Sequence, residues 1–369
     1  MRMNPRTGAV AGRRRIWPSS AGMAGLLAAA VLAVEAVAAP GLGFERKINP
    51  AWFPDDARQW SGYGQSILLT DLAKAEPASA LATGRRQKGR WRVLPFATDA
   101  FSGNALSAYE TTNPAPVRLA LGATGWHAVY VGIGTVSDSD RALANGARVK
   151  LGSGRIYRRI ANNLKLVGPH REGAPDAAPR DDFPRGWAHR DVIQEQFLTV
   201  ADLQPGESLD LAPLHHRSAN LMYVRLVPVT AAEQAAWERD GARMEFRRTI
   251  GTIDGESWIM PYRPRSAADL LENFEGYQRT DFAQWWFCVL GADITCYPTA
   301  VGTIEGDGAE DYPEPIYEDF NRSIHELARR GINPLVVARQ SARDQGREFH
   351  VFIRPQAWSA SMPWEEVFN

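Results

Sequence analysis

The sequence predicts an α+β protein with more than one domain, in which an N-terminal β-sandwich is followed by an incomplete (β/α) TIM-type barrel. Three observations lead to this prediction. Short apolar segments separated by Gly, Pro and Asn follow one another between residues 90 and 230. From residue 245 onward, strand patterns alternate with amphipathic helical patterns. The part from 245 to 369 is about half as long as a complete barrel, which needs roughly 250 residues.

Length and composition restrict the class of protein. With 369 residues, the chain is long enough for two or three domains of about 150 residues. Its 42 Lys and Arg balance its 42 Asp and Glu, which argues against a nucleic-acid-binding protein, because such proteins carry a basic surface. A hydrophobic fraction of 44% is typical of a globular chain and excludes overall disorder. Two cysteines are too few for a disulfide scaffold or a multi-cysteine metal site.

Residues 1–39 have the pattern of a signal peptide. Arginines are concentrated at the N-terminus, and residues 21–39 are nearly all small or apolar. The tripeptide Ala36–Ala38 matches an A-x-A cleavage site, so we expect a secreted or periplasmic mature protein. Glu35 disfavours a stable membrane span, and no later apolar stretch is long enough for one. The cluster Arg13–Arg15 leaves a twin-arginine (Tat) signal open, although the residues after it favour a general secretory (Sec) signal.

Residues 40–89 are predicted as a linker or N-terminal extension, and residues 90–230 as the β-sandwich domain. Lys74–Lys88 is small and polar, which is typical of a loop. In Val117–Leu121 the apolar side chains alternate, as in a strand with one buried face. The Pro- and Gly-rich stretch Pro169–Gly186 is interpreted as a long surface loop. The other predicted strands of the sandwich are Trp91–Pro95, Trp126–Ile133, Arg155–Ile160, Gln196–Val200, Ser208–Leu211 and Leu221–Val227.

Residues 245–369 are predicted as the first part of a (β/α)₈ barrel. A capping box, Ser266–Asp269, precedes apolar residues on one helical face. The apolar run Trp285–Leu290 suits a strand covered on both faces, as in a parallel sheet. The order strand, helix, strand, helix, helix, strand is typical of an α/β fold. The other predicted elements are helix Ala231–Gly241, strand Arg248–Ile253, helix Tyr317–Arg330, a helix from Asn333 to Gly346 and strand Phe349–Ile353.

Several segments resemble a group of bacterial exported glycoside-hydrolase-like proteins, in which a β-sandwich precedes a TIM barrel. In the barrel region they are RTIGTIDGESWI, WWFCVLGADITCYPTAVG and GREFHVFIRPQAW, of which GREFHVFIRP is the most telling. ANLMYVRLVP also resembles this group, and TGWHAVYVGIG is similar to its sandwich. The resemblance covers residues 90–369 and is to family-10-like hypothetical glycosyl hydrolases.

This resemblance implies a polysaccharide or glycan as the partner, and hydrolysis of O-glycosyl bonds as the activity of a complete barrel. A glycosidase needs two carboxylates that flank the scissile bond. The resemblance places that pair on later strands than those predicted here. We therefore expect a truncated chain, and the catalytic residues themselves stay unknown.

Eight residues at the ends of the three predicted barrel strands are candidates for substrate binding. TIM-barrel sites form at the carboxyl ends of the strands. A sugar site needs carboxylates or Arg for the hydroxyl groups and aromatic rings for the apolar faces of the sugar. The candidates are Asp254, Glu256 and Trp258 at the first strand end, Asp293 and Tyr297 at the second, and His350, Arg354 and Trp358 at the third.

Structural roles stay open for some of these residues. Asp254 is followed by Gly255 and fits a simple turn as well as a pocket. His350 lies within a strand, where a core histidine is the commoner case. Trp285 and Trp286 are neighbours in one strand, so we expect one to point into the barrel and the other toward the helices, with core packing as the leading interpretation.

No metal and no cofactor are predicted. G-x-S-x-G and H-E-x-x-H motifs do not occur in the sequence. His215 and His216 are adjacent and would point to opposite faces of a strand, which disfavours joint metal ligation. The acidic loop 305–314 is interpreted as solvated, because its spacing does not fit an EF-hand. A disulfide between Cys288 and Cys296 is left open.

A non-catalytic role is the main alternative. In it, the β-sandwich is a carbohydrate-binding module in which Trp126 and Trp187 bind sugar, and the barrel region only provides packing. Half a barrel exposes a sheet edge, which favours this alternative. A third hypothesis is a structural protein of the cell envelope that binds no glycan. The oligomeric state is not predicted.

Overall fold

The chain separates into two units, Met1–Ala38 and Ala39–Asn369. The first unit lies outside the described residues, and with it nearly all of the predicted signal peptide. All of the structure reported below belongs to the second unit. The computed structural model describes residues 51–53, 57–109, 112–135, 146–161, 192–214, 218–242, 247–255, 258–259, 263–289, 294–304 and 315–353.

The described part of the chain is rich in strands and has four α-helices. Twelve strands form one large sheet: β1 (Ala51–Phe53), β2 (Ile67–Leu69), β3 (Leu81–Ala82), β4 (Trp91–Ala97), β5 (Ser102–Ala108), β6 (Val117–Ala120), β7 (Gly125–Thr135), β8 (Gly146–Leu151), β9 (Arg158–Ala161), β10 (Val192–Leu203), β11 (Ser208–Ala212) and β12 (Ala219–Pro228). The other strands are β13 (Thr249–Ile253), β14 (Phe282–Cys288), β15 (Ile294–Thr295), β16 (Thr303–Ile304) and β17 (Glu348–Phe352). The helices are α1 (Ala231–Ala242), α2 (Ala267–Glu275), α3 (Pro315–Arg329) and α4 (Pro334–Asp344).

The large sheet is mainly antiparallel. Its longest path runs β1-β10-β7-β12-β5-β4-β3, and β6, β8, β9 and β11 pair with one another beside this path. One apolar core takes buried side chains from β4, β5, β7 and β12 and from β6, β8 and β11. Trp91 is fully buried there, and its indole Nε1 donates to the carbonyl of Ala115 at 2.8 Å. In β6 the side chains alternate between buried and exposed, which confirms the predicted strand pattern.

Residues 57–82 pack against the large sheet, although they lie in the stretch predicted as a linker or N-terminal extension. They contain β2, β3 and four short 3₁₀ helices. Leu72, Ala75 and Ala80 belong to the main core. The loop predicted for Lys74–Lys88 is therefore wrong at its beginning. Helices and strands of two to five residues are too short to produce a recognisable hydrophobic period, so the sequence pattern could not indicate them.

A three-stranded parallel sheet follows, in the order β13-β14-β17. α2 connects β13 to β14, and α3 and α4 lie between β14 and β17. Phe274 of α2, Phe320 of α3 and Ala338 of α4 share one core with Trp285 and Phe287 of β14. The arrangement agrees with the predicted order of elements and is compatible with an incomplete barrel.

The starts of α2 and α4 agree with the predicted ones, and each has a side-chain cap. The Ser266 side chain accepts a hydrogen bond from the backbone N–H of Asp269 at 3.2 Å. Asn333 Oδ1 accepts from the N–H of Leu335 at 2.9 Å. Such caps contribute about 1 kcal/mol each, because they satisfy backbone donors that the first helical turn leaves without a partner. At the other end of α4, Gly346 has a φ of 64°, which lets the chain turn into β17.

A buried ionic cluster joins the large sheet to α2. Glu272 of α2 has a side chain that is only 2% exposed. Its carboxylate accepts hydrogen bonds from both Nε and Nη2 of Arg148 in β8 and forms an ion pair with Arg159 of β9 at 3.1 Å. Asp269 adds a second carboxylate beside Arg148 at 3.0 Å. Buried charges are tolerated only when they are paired in this way, so the cluster fixes the position of α2 against β8 and β9.

We expect Glu272→Ala to lower the free energy of unfolding by about 3–5 kcal/mol, because two arginines would lose a buried partner. Urea denaturation followed by circular dichroism measures this change. The matched control is Glu318→Ala, which removes an exposed ion pair with Arg322 and should cost less than about 1 kcal/mol. Equal losses in the two variants would contradict the assigned role of Glu272.

Two carboxylates, one in β11 and one in the turn before it, are held in their charged form. Burial acts to raise the pKa of Asp210, but hydrogen bonds and charge from Arg118 and Lys150 outweigh it and lower that pKa. The pKa of Glu207 is lowered in the same way. Burial acts to raise it, but hydrogen bonds from the hydroxyl and backbone N–H of Ser153 and from the N–H of Ser208 outweigh that effect. A carboxyl group with a lowered pKa in the folded state stabilises the fold only while it is ionised.

The protein should therefore lose stability in acid. The contribution of Asp210 and Glu207 is present above the ordinary carboxyl pKa of about 4 and is lost as the pH falls through their lower folded-state pKa values. Urea midpoints measured between pH 7 and pH 3 should fall, and Asp210→Asn should reduce both the stability at pH 7 and its decline in acid. Asp202→Asn, at an exposed position, is the control and should leave the decline unchanged. A decline that Asp210→Asn does not alter would contradict this prediction.

The two cysteines are buried as thiols rather than joined in a disulfide. Cys288 ends β14, and the Sγ of Cys296 lies 4.0 Å from the Cys288 carbonyl oxygen. The bridge that the sequence left open is therefore not formed in this structure. Among the described helices, none is long and apolar enough to cross a membrane.

Candidate functional site

A small cavity lies at the carboxyl end of β13. We call it the strand-end cavity. It has a volume of about 220 Å³ and brings together two of the predicted site residues, Asp254 and Trp258. Asp254 directly follows β13 and is exposed. The other lining residues are Thr252, Ile253, Asn273, Phe274, Tyr277 and Trp285.

Aromatic rings form the wall of this cavity. Trp258 makes edge-to-face contacts with Phe274 and Phe287, at ring-centroid distances of 5.5 and 5.4 Å. Trp285 contacts Phe274 at 5.8 Å and Tyr277 at 5.1 Å in the same geometry. These distances are typical of favourable aromatic pairs, so the rings hold one another in place.

Local sequence explains how the Trp285 ring reaches this position. Gly251 lies opposite Trp285 in the parallel ladder. A Cβ atom at Gly251 would collide with the Trp285 ring, so only glycine lets the indole lie against β13. Within the described structure, the indole N–H groups of Trp258 and Trp285 are buried and lack an acceptor. Buried donors without a partner are uncommon in native proteins and are often found near functional sites.

The opposite face of the parallel sheet carries a second group of polar and aromatic residues. Trp286 is 37% exposed there, and its Nε1 donates to Gln284 at 2.9 Å. Gln284 donates to Glu348 at 2.7 Å, and His350 lies 3.2 Å from the same carboxylate. The rings of Trp286 and His350 are 5.7 Å apart. We call this group the open sheet face.

The structure separates the predicted site residues. Asp254 and Trp258 share the strand-end cavity, whereas His350 lies on the open sheet face with a side chain that is 46% exposed. The core role left open for His350 is therefore wrong, because β17 places it on the exposed side. Tyr297 packs against the apolar core beside the cavity, and burial raises the pKa of its hydroxyl. Four further predicted residues lie outside the described residues: Glu256, Asp293, Arg354 and Trp358.

The expectation that neighbouring tryptophans point to opposite faces is confirmed. Trp285 is buried toward the helices and Trp286 is exposed on the other face. Sequence reasoning missed Gln284 and Glu348 because neither stands at the carboxyl end of a strand. Their alternation with Trp286 and His350 along β14 and β17 is a signal that could have found them.

The remaining predictions about sites concern other parts of the chain. Trp126 is half-buried and packs against an apolar cluster of β7, β10 and β12. His215, His216, Trp187 and the acidic loop 305–314 lie outside the described residues. Within the described ranges, no group of three or more His, Cys, Asp or Glu side chains could hold a metal ion.

Comparisons with known proteins give only weak likenesses. No protein-family model matches the chain, and no curated protein matches it. Among solved structures, it is similar to a GH26-CBM35 β-(1,4)-mannanase of Podospora anserina, with 9% identity and a TM-score of 0.19 over 71% of this chain and 60% of that one. It is also similar to a ruminal GH26 endo-β-1,4-mannanase, with 8% identity and a TM-score of 0.19 over 69% of this chain and 58% of that one.

A third similar structure is the catalytic domain of a GH87 α-1,3-glucanase. The identity is 9% and the TM-score 0.21, over 50% of this chain and 29% of that one. The chain thus spans less than two thirds of each of these three structures. All three are glycoside hydrolases, but TM-scores this low carry no argument about the fold or activity of this chain.

The two adjacent tryptophans should differ sharply in their contribution to stability. We expect Trp285→Ala to cost about 3–5 kcal/mol, because it removes a buried ring from the core. Trp286→Ala should cost less than about 1 kcal/mol, because its ring is on the exposed face. Urea denaturation of both variants measures the difference. Similar losses would show that the open sheet face is covered in solution.

Proposed function

We propose that this chain is a glycoside-hydrolase-like protein that binds a polysaccharide at the strand-end cavity. The observation that carries the proposal is the cavity itself, where Asp254 stands beside the exposed ring of Tyr277, and the buried indoles of Trp258 and Trp285 lie behind that ring. A carboxylate accepts hydrogen bonds from sugar hydroxyl groups, and aromatic rings cover the apolar face of a sugar. This combination of groups suits a carbohydrate better than a purely apolar ligand.

The size of the cavity limits what it can hold. Its volume of about 220 Å³ is below the range of roughly 300–1,000 Å³ typical of pockets for drug-sized molecules. A cavity of this size suits one sugar ring, with the rest of the chain of sugars outside it. Asn273 adds a neutral polar group to the lining, and its side chain is held by Arg159 and by the carbonyls of Trp258 and Leu270.

The proposal includes a fold and a location. We propose that the large sheet is a β-sandwich domain and that β13, β14 and β17 are the first strands of a TIM-type barrel, so that the strand-end cavity corresponds to the active-site end of that barrel. Residues 1–39 would direct export, with Sec as the favoured route, so that the protein meets its glycan outside the cytoplasm. Hydrolysis would require a second carboxylate close to Asp254.

Binding of oligosaccharides to the purified full chain tests this proposal. Neutral manno- and gluco-oligosaccharides serve as probes in isothermal titration calorimetry. We expect Asp254→Asn to weaken binding by about tenfold, because a hydrogen bond to a charged group is lost. Asp99→Asn, which changes an exposed carboxylate outside the cavity, is the control and should leave the affinity unchanged.

Two outcomes would overturn the proposed site. If Trp126→Ala abolished binding while Asp254→Asn retained it, the glycan site would lie on the large sheet, as in a carbohydrate-binding module. If the unmodified chain bound none of the probes and no other glycan on a polysaccharide array, a structural role in the cell envelope would be favoured instead.

A further inference from the structure

A second and larger cavity lies where the large sheet meets the parallel sheet. We call it the junction cavity. Its volume is about 570 Å³, and it is lined by the residues before β9, the turn after α2 and the turn after α4. Four guanidinium groups line it, and two carboxylates, Glu275 and Asp344, leave a net charge of +2. The four arginines are Arg155, Arg247, Arg279 and Arg347.

Arg347 is the central observation. The residue is only 5% exposed. Its Nη2 donates to the Tyr277 carbonyl and lies 3.3 Å from the Thr280 hydroxyl, but Nε and Nη1 are buried and meet no acceptor in the described part of the chain. Burial, together with the like charge of Arg247, lowers the pKa of Arg347 to about 10. A buried cation with unused donors beside a second cation is costly unless an anion compensates it.

The nearby carboxylates do not supply that compensation. Glu275 accepts a hydrogen bond from Gln278 at 2.6 Å, and Asp344 accepts one from Gln340 at 2.7 Å. Burial raises the pKa of Glu275, which weakens it further as a counter-ion. Among the described residues, none of the four arginines forms an ion pair with a carboxylate within 4.0 Å.

Two of the surrounding guanidinium groups, those of Arg247 and Arg279, are held in place before any ligand arrives. Arg247 donates to the Gln345 carbonyl at 2.7 Å. The Arg279 guanidinium lies 3.8 Å from the centroid of the Trp237 ring, a cation–π contact. Donors fixed in this way lose little conformational freedom on binding, which favours affinity for an anion.

We propose that the junction cavity binds an acidic sugar unit, whose carboxylate or sulfate group is held by Arg347 and the neighbouring arginines. Guanidinium groups match such oxyanions with paired hydrogen bonds. The Gln345 Oε1 is buried and finds no donor in the described structure, so it can accept from a hydroxyl group. A volume of about 570 Å³ lies within the usual range of ligand pockets. The anion site does not depend on the proposed function, whereas its assignment to a sugar rests on it.

Calorimetry on the full chain with three probes tests this inference. The probes are trigalacturonate, the neutral maltotriose and inorganic phosphate. We expect trigalacturonate to bind at low salt, and Arg347→Gln to abolish that binding. Because Arg347→Gln removes a buried group and could impair folding, Arg155→Gln at an exposed position is the second variant, with an expected loss of about tenfold. Arg322→Gln, on α3 outside the cavity, is the control and should bind like the unmodified chain.

Each outcome separates the two levels of the inference. Loss of trigalacturonate binding in both cavity variants, with no such loss in Arg322→Gln, supports the acidic-sugar site. Phosphate binding that depends on Arg155 and Arg347, without trigalacturonate binding, overturns the sugar but retains the anion site. The anion site is overturned if the probes bind but none of the variants alters their binding. It is also overturned if neither trigalacturonate nor phosphate binds. Asp254→Asn should leave phosphate binding unchanged, which distinguishes failure here from failure of the proposed glycan site.

Discussion

Both cavities depend on the ion pairs that the buried carboxylate of Glu272 forms with two arginines. Arg148 and Arg159 reach it from two strands of the large sheet, and it has almost no contact with solvent. A buried carboxylate is tolerated only when cationic side chains pair with it, so α2 has one position against β8 and β9. Asn273, Phe274 and Tyr277 line the strand-end cavity from α2 and the turn after it, while Leu271 and Glu275 line the junction cavity. One helix thus positions both cavities.

The two cavities are connected through Arg347. Its guanidinium lies 5.2 Å from the Trp285 ring and donates to the carbonyl of Tyr277, and both of these residues line the strand-end cavity. The cation–π contact and the hydrogen bond fix the arginine on one side and the aromatic wall on the other. The chemical character of the two cavities nevertheless differs, because one is aromatic with a single lining carboxylate and the other is polar and cationic.

Strand alternation decides which side chains each surface receives. In β14, Trp285 points toward the helices and Trp286 toward the open sheet face, and the register with β17 places His350 beside Trp286. Parallel strands are normally covered on both faces, so a polar network of Gln284, Glu348 and His350 on an exposed face is unusual. It keeps the side chains of the open sheet face hydrogen-bonded where they meet solvent.

The sequence by itself determined the elements whose signals are local. The helix caps at Ser266 and Asn333, the opposite faces of Trp285 and Trp286 and the parallel order of β13, β14 and β17 follow from spacing and short-range chemistry, and the structure agrees. Only the tertiary structure decided that Asp254 and Trp258 share a cavity from which His350 is excluded, because a strand end does not tell which face a side chain takes. Arg155, Arg247, Arg279 and Arg347 are far apart in the chain, and each one looks like an ordinary solvated charge in sequence. Their meeting depends on the packing of α2 against β9 of the large sheet and against α4, for which no local pattern exists.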